Sequence, residues 1–146
     1  MAATGSLTFK RLLVPIDGAE LMPRAIDASV AFAAQLGASI TGFIAQAPVP
    51  LPTGQTASVK ESRADETAQR LLHRFDEQAQ RAGVAFDGHH RHTPDIAAAI
   101  VQAAQEYQCD MIVMVTHGRG SVGRLVFGSH TRQVLARSTI PVLVMH

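Results

Sequence analysis

Apolar positions along the chain fall into two alternating rhythms. Phe9 to Ile16 (FKRLLVPI) is an apolar run of strand length that Asp17 and Gly18 stop, which predicts a buried strand. Met22, Ile26, Val30 and Ala33 then recur at helical spacing until Gly37, the expected C-cap of a first helix. Ala38 to Ala45 (ASITGFIA) reads as a second strand. From Gln46 to Ser58 the chain carries three prolines and a glycine without periodicity, so this stretch is a loop, with closure over a ligand left open. From about Ser58 the pattern turns helical: Ala68, Leu71, Leu72, Phe75 and Ala79 share one face opposite charged positions, and Gly83 closes the segment. Val84 to Arg91 (VAFDGHHR) is a third strand whose polar content suits a sheet edge. Thr93 and Pro94 read as the N-cap and first position of a third helix, with Ile96, Ile100, Ala103 and Tyr107 as its core stripe. Met111 to Val115 is a fourth strand and Ser129 to Ser138 a fourth helix. IPVLVM, ending at Met145, is a fifth strand, with Pro141 at its start or on an unpaired edge.

Strands that alternate with helices imply right-handed crossovers and a parallel sheet covered by helices on both faces. The expected class is therefore α/β, a Rossmann-like open five-stranded parallel sheet. At 146 residues and 47% hydrophobic composition, the chain fits a single domain over residues 1–146. Open sheets of this kind place ligands beyond the carboxyl ends of their strands, here Pro15 to Gly18, Ala45, and Val115 to Gly118.

A formal net charge of +1 argues against general nucleic-acid binding and against attraction to acidic membranes. The single cysteine, Cys109, has no internal disulfide partner and reads as a small buried hydrophobe. No stretch has the length of a signal peptide or a membrane span, so the expected location is the cytoplasm. Charge is unevenly distributed. From Met111 onward there are four arginines (Arg119, Arg124, Arg132, Arg137) and no acid, whereas the preceding residues hold nine Lys or Arg against twelve acids. This basic stretch overlaps the glycine-rich segment THGRGSVGRLVFGSHT. Glycines let a backbone approach an anion closely, and a helix N-terminus directs N–H groups and a positive dipole at it. The overlap favours anion binding over a merely solvated basic face.

Several chemistries are absent from the sequence. No Walker A string exists, the first strand-to-helix turn (DGAELMPR) lacks a dinucleotide-binding glycine loop, and no serine elbow or Cys–His spacing assigns a nucleophile. No catalytic residue is assigned. His89, His90 and His92 invite a metal reading, since alternation puts His90 and His92 on one face, but no Cys, Asp or Glu stands at a recognisable ligand spacing. A polar edge strand is the preferred explanation, and no metal ligand is assigned. His117, inside the glycine loop, has two open roles, orienting the loop or touching a ligand.

VPIDG at the end of the first strand, DMIVMVTHGRG through the fourth, GS ten residues after the loop's first glycine and a closing PVLVM together form a signature. With these motifs at these separations, the chain resembles the universal stress protein family from Lys10 to Met145. The resemblance implies strand order 3-2-1-4-5, a homodimer through the C-terminal strand, and ATP, with Mg2+, held as a regulatory state in the stress response. By similarity, Pro15 and Ile16 lie beside the adenine and Asp17 near the nucleoside, Ala45 and Met114 complete an apolar slot, and Gly118, Gly128, Ser129, His130 and Thr131 cradle phosphates. Asp17 also reads as a turn former and Ser129 as a helix N-cap, alternatives to their ligand roles. The family's nucleotide-binding pattern has glycine where this chain has Val115, a β-branched residue that narrows the space beside ribose or phosphate. Two alternatives stand beside this reading: slow ATP hydrolysis in the same pocket, with Asp17 or His117 as base, and an interaction protein of the same fold without nucleotide.

Overall fold

The computed structural model describes residues 7–16, 22–48, 57–116 and 128–145. Its strands are β1 (Arg11–Pro15), β2 (Ser39–Gln46), β3 (Phe86–His92), β4 (Met111–Val115) and β5 (Val142–Met145). Its helices are α1 (Met22–Leu36), α2 (Ala57–Arg81), α3 (Ile96–Glu106) and α4 (Ser129–Arg137). The strands form one sheet in the order β3-β2-β1-β4-β5 with every pairing parallel. The Rossmann-like α/β class and the 3-2-1-4-5 order are thus as expected, with the polar strand β3 at one edge and β5 at the other.

Period-two alternation sorts the sheet's side chains into two cores. Leu12, Val14, Ile40, Ile44 and Val113 pack with Ile26, Val30 and Ala33 of α1 and with Ala68, Leu72, Phe75 and Ala79 of α2. Leu13, Phe43, Ile112 and Met114 pack on the opposite face with Ala97, Ile100 and Ala103 of α3 and Val134 of α4. Cys109 lies in this second core, and burial pushes its thiol pKa up. α1 and α2 end as expected, at Gly37 and Gly83, both in the left-handed region at φ 65 and φ 72.

β2 (Ser39–Gln46) and β3 (Phe86–His92) shift by one or two residues from the sequence reading, and three further differences have a visible cause. β1 begins at Arg11, because the Lys10 and Arg11 N–H groups donate to the Asp110 carboxylate instead of to a neighbouring strand. The N-cap of α3 is Asp95, not Thr93: Asp95 Oδ1 accepts from Ala98 N at 3.1 Å, while Thr93 Oγ1 accepts from Asp95 N in a preceding turn. β5 is only four residues long; Pro141 precedes it and accepts from Ile112 N at 3.0 Å through its carbonyl.

Candidate functional site

The carboxyl ends of β1, β2 and β4 lie together in the middle of the sheet, and the ladder continues one residue past them. Ile16 N donates to Phe43 O at 2.9 Å and Thr116 N to Met145 O at 2.8 Å. Strand alternation decides which predicted residues share a face. Met114 and Ala45 belong to the α3/α4 side, as does Pro15, two residues after Leu13. Ile16, 5% exposed, packs instead into the α1/α2 core. Val115 is half-buried and alternates with Met114, so its side chain also points to the α1/α2 side. The expected apolar slot is therefore divided: Pro15, Ala45 and Met114 on one face, Ile16 and Val115 on the other. Asp17, Gly118, His117, Arg119, Arg124 and most of the proline-rich loop lie outside the described residues.

α4 opens toward the same end of the sheet. His130 lies within electrostatic reach of Asp95, the cap of α3 just after β3. Gly128 is the N-cap of α4 with φ −59 and ψ 159, and Arg132 N donates back to Gly128 O at 3.1 Å. Ser129 is consequently the first helical residue and not the cap. Its hydroxyl is exposed, Thr131 is buried, and helix geometry leaves the Ser129 and Thr131 amides without acceptors inside the helix. A Cβ added at Gly128 would meet nothing within 4 Å, and its φ is one that any residue adopts. Neither backbone conformation nor packing among the described residues requires glycine there. Of the four C-terminal arginines, Arg137 is committed to Asp95, with Nη1 2.9 Å from Oδ2.

Two residues that the sequence reading passed over also mark this end. Among the described residues, Gln46 Oε1 and Thr116 Oγ1 are the buried side-chain oxygens without a hydrogen-bond partner. Buried polar atoms normally have one, so each is a candidate hydrogen-bonding position for a ligand or water. Thr116 continues the alternation of Met114 and so faces the α3/α4 side, as the α4 start does. Its position in VTHG, at the junction of strand and glycine loop, was the available signal.

A second cluster occupies the β3 edge. His90 and His92 project toward α2, where Asp65 Oδ1 lies 3.1 Å from His90 Nε2 and 2.7 Å from His92 Nε2. Those two hydrogen bonds, with His92 contributing most, hold the Asp65 carboxyl below its usual pKa. On the other face, His89 stacks on Tyr107 with centroids 4.1 Å apart, and Arg91 donates to Glu106 at 2.7 Å. A cleft of about 310 Å³ lies at the opposite, amino end of the sheet, lined by Arg11, Thr41, Glu106 and Tyr107 among others. There Arg11 donates to the Tyr107 carbonyl at 2.9 Å, and the strand carboxyl ends take no part.

Residues 8–146 match the universal stress protein family. A universal stress protein from Thermus aquaticus, encoded in the 3′ region of a QAH/OAS sulfhydrylase, is 34% identical over 142 residues, covering 94% of this chain and 98% of its own. The crystal structure of a universal stress protein family member from Burkholderia pseudomallei superposes with a TM-score of 0.79 at 25% identity, covering 95% of this chain and 97% of that one. A universal stress protein solved in complex with cAMP superposes at 0.69 with 23% identity, covering 95% and 98%.

Proposed function

The chain belongs to the universal stress protein family, and from that membership we propose that it binds an adenine nucleotide, ATP with Mg2+, at the carboxyl ends of β1 and β4. In this reading it acts as a regulatory homodimer of the cytoplasmic stress response, in which the bound nucleotide sets the state. The observation that carries the proposal is Gly128: a glycine at a helix start that neither φ nor packing among the described residues demands, with none of those residues where its side chain would be. Such a position suits a phosphate brought against the backbone, where the Ser129 and Thr131 amides and the helix dipole stabilise negative charge.

Other features support it. Thr116 Oγ1, without a hydrogen-bond partner among the described residues, lies on the same face of the sheet as the buried Met114 and Pro15. Val115 turns its branched side chain to the opposite side, so its bulk stays out of the space in front of α4. The neighbour solved with cAMP is a protein of this fold that holds an adenine nucleotide. Mg2+ would accompany the phosphates as their counter-ion, and no residue is assigned to it. The candidate bases for hydrolysis, Asp17 and His117, lie outside the described residues.

Thermal shift with Mg·ATP on site variants tests the placement. Wild-type protein is expected to gain stability on adding Mg·ATP, Gly128→Val to lose that gain by filling the open space, and Ser129→Ala to weaken it. Unchanged gains in both variants would put the ligand elsewhere.

A further inference from the structure

Asp65, His90 and His92 form a cluster that nucleotide binding does not use. The histidines sit two apart on β3, whose register with β2 pairs Ile44 with His90 and Gln46 with His92. Alternation therefore turns both imidazoles to the side of α2, and the ladder fixes their spacing. Asp65 arrives from α2, which is anchored two to three turns further on by fully buried Phe75 and nearly buried Leu72. One ring nitrogen of each histidine and one carboxylate oxygen all lie within 4.8 Å of one another.

We propose that Asp65, His90 and His92 bind one divalent transition-metal ion of borderline softness, Zn2+ foremost, and so fasten α2 to the edge of the sheet. Two imidazoles and one carboxylate are a ligand set used by Zn2+ sites that keep a fourth position for water. Hard cations such as Ca2+ and Mg2+ require mostly oxygen donors and are disfavoured by this set. Donors around a tetrahedral Zn2+ stand about 3.3 Å apart for bonds of about 2.0–2.1 Å. The observed Nε2 to Oδ1 separations of 3.1 and 2.7 Å need to open by about 0.2 and about 0.6 Å to reach that spacing. Each imidazole binds through Nε2 once its proton resides on Nδ1.

Exposure also fits. The side chains of His90, His92 and Asp65 are 25%, 29% and 41% exposed, which leaves a path for the ion and room for a coordinated water. The site is distinct from the proposed nucleotide site, because its imidazoles turn to the α1/α2 face of the sheet whereas Thr116 and the α4 start lie on the α3/α4 face, and β3 is two strand spacings from β1, about 10 Å at about 4.8 Å each.

The test uses the full chain, stripped of metal with a chelator, free of nucleotide, and titrated with Zn2+ against a zinc-binding dye. One equivalent of Zn2+ should bind. Asp65→Asn, His90→Gln and His92→Gln should each weaken it by more than about 10-fold, since losing a direct ligand costs at least as much as losing a group that only orients one. His89→Gln, on the opposite face beside Tyr107, should keep wild-type affinity. Circular dichroism establishes that each variant is folded, and the visible spectrum of the Co2+-loaded wild type reports four- or five-coordinate nitrogen and oxygen ligation without any substitution. Absence of a stoichiometric ion, a Co2+ spectrum of a fully hydrated octahedral ion, or full affinity in folded Asp65→Asn and His92→Gln would overturn the proposal.

Discussion

Two glycines show how differently one residue type serves this chain. Gly42 on β2 lies against the Phe86 ring, where an added Cβ would come within 2.7 Å of Cζ and 3.4 Å of Leu72 Cδ2. Phe86 is stacked at 4.8 Å on Phe75 and has little freedom to withdraw. Gly42→Ala is therefore expected to destabilise the fold by about 1–3 kcal/mol, the usual cost of overpacking a core, read as a lower midpoint in urea unfolding. Gly128 has no such neighbour, and the same substitution there introduces no clash among the described residues. The two positions look alike in the sequence, since packing around Gly42 depends on a ring 44 positions away along the chain. Likewise, Thr93 and Asp95 are both good capping residues in the stretch RHTPD, and only the backbone shows that the helix begins after the second.

Asp95 carries an element-scale prediction because it joins two helices. It caps α3 through Ala98 N and pairs with Arg137 at the end of α4. The Ala98 amide first, and Arg137 second, hold its carboxyl below the ordinary value of 3.8. The folded chain thus binds this proton less readily than the unfolded chain. Its stabilising contribution is complete above the unfolded pKa and is lost as pH falls through the lower folded one. At neutral pH the melting temperature should fall in the order wild type, Asp95→Asn, Asp95→Ala, because Asn retains a capping oxygen but not the charge. The gap between wild type and Asp95→Asn should close when the scan is repeated below the folded pKa. A gap that widened in acid would contradict the assignment.

The elements were legible where burial was two-sided. β1, β2 and β4 sit inside a parallel sheet and appear as nearly continuous apolar runs, and the polar content of β3 identified it as an edge. What alternation along β3 could not show was its partner. Asp65 is 25 and 27 positions before His90 and His92, so the three meet only because α2 crosses back over β3. Ligand spacing within one element has no signal for that. The candidate nucleotide site was legible as strand ends and a helix start, whereas its division between two faces required the register of the sheet.

For the molecule as a whole, β5 is an edge strand. Pro141 and Met145 accept from Ile112 and Thr116, so alternation turns the peptide groups of Val142 and Val144 outward. Pairing of this edge with a second copy is the proposed dimer contact. Val144→Pro removes an outward N–H while leaving the ladder to β4 in place. Sedimentation should find the wild type dimeric and this variant monomeric, with its circular dichroism retained; a dimer that survives the substitution would place the interface elsewhere.

Nucleotide binding is the claim on which the functional account turns, and a calorimetric titration of Mg·ATP into the purified chain tests it most directly. The account predicts a saturable heat with one nucleotide per protomer. A titration without binding heat at several temperatures, with the protein folded, would contradict it.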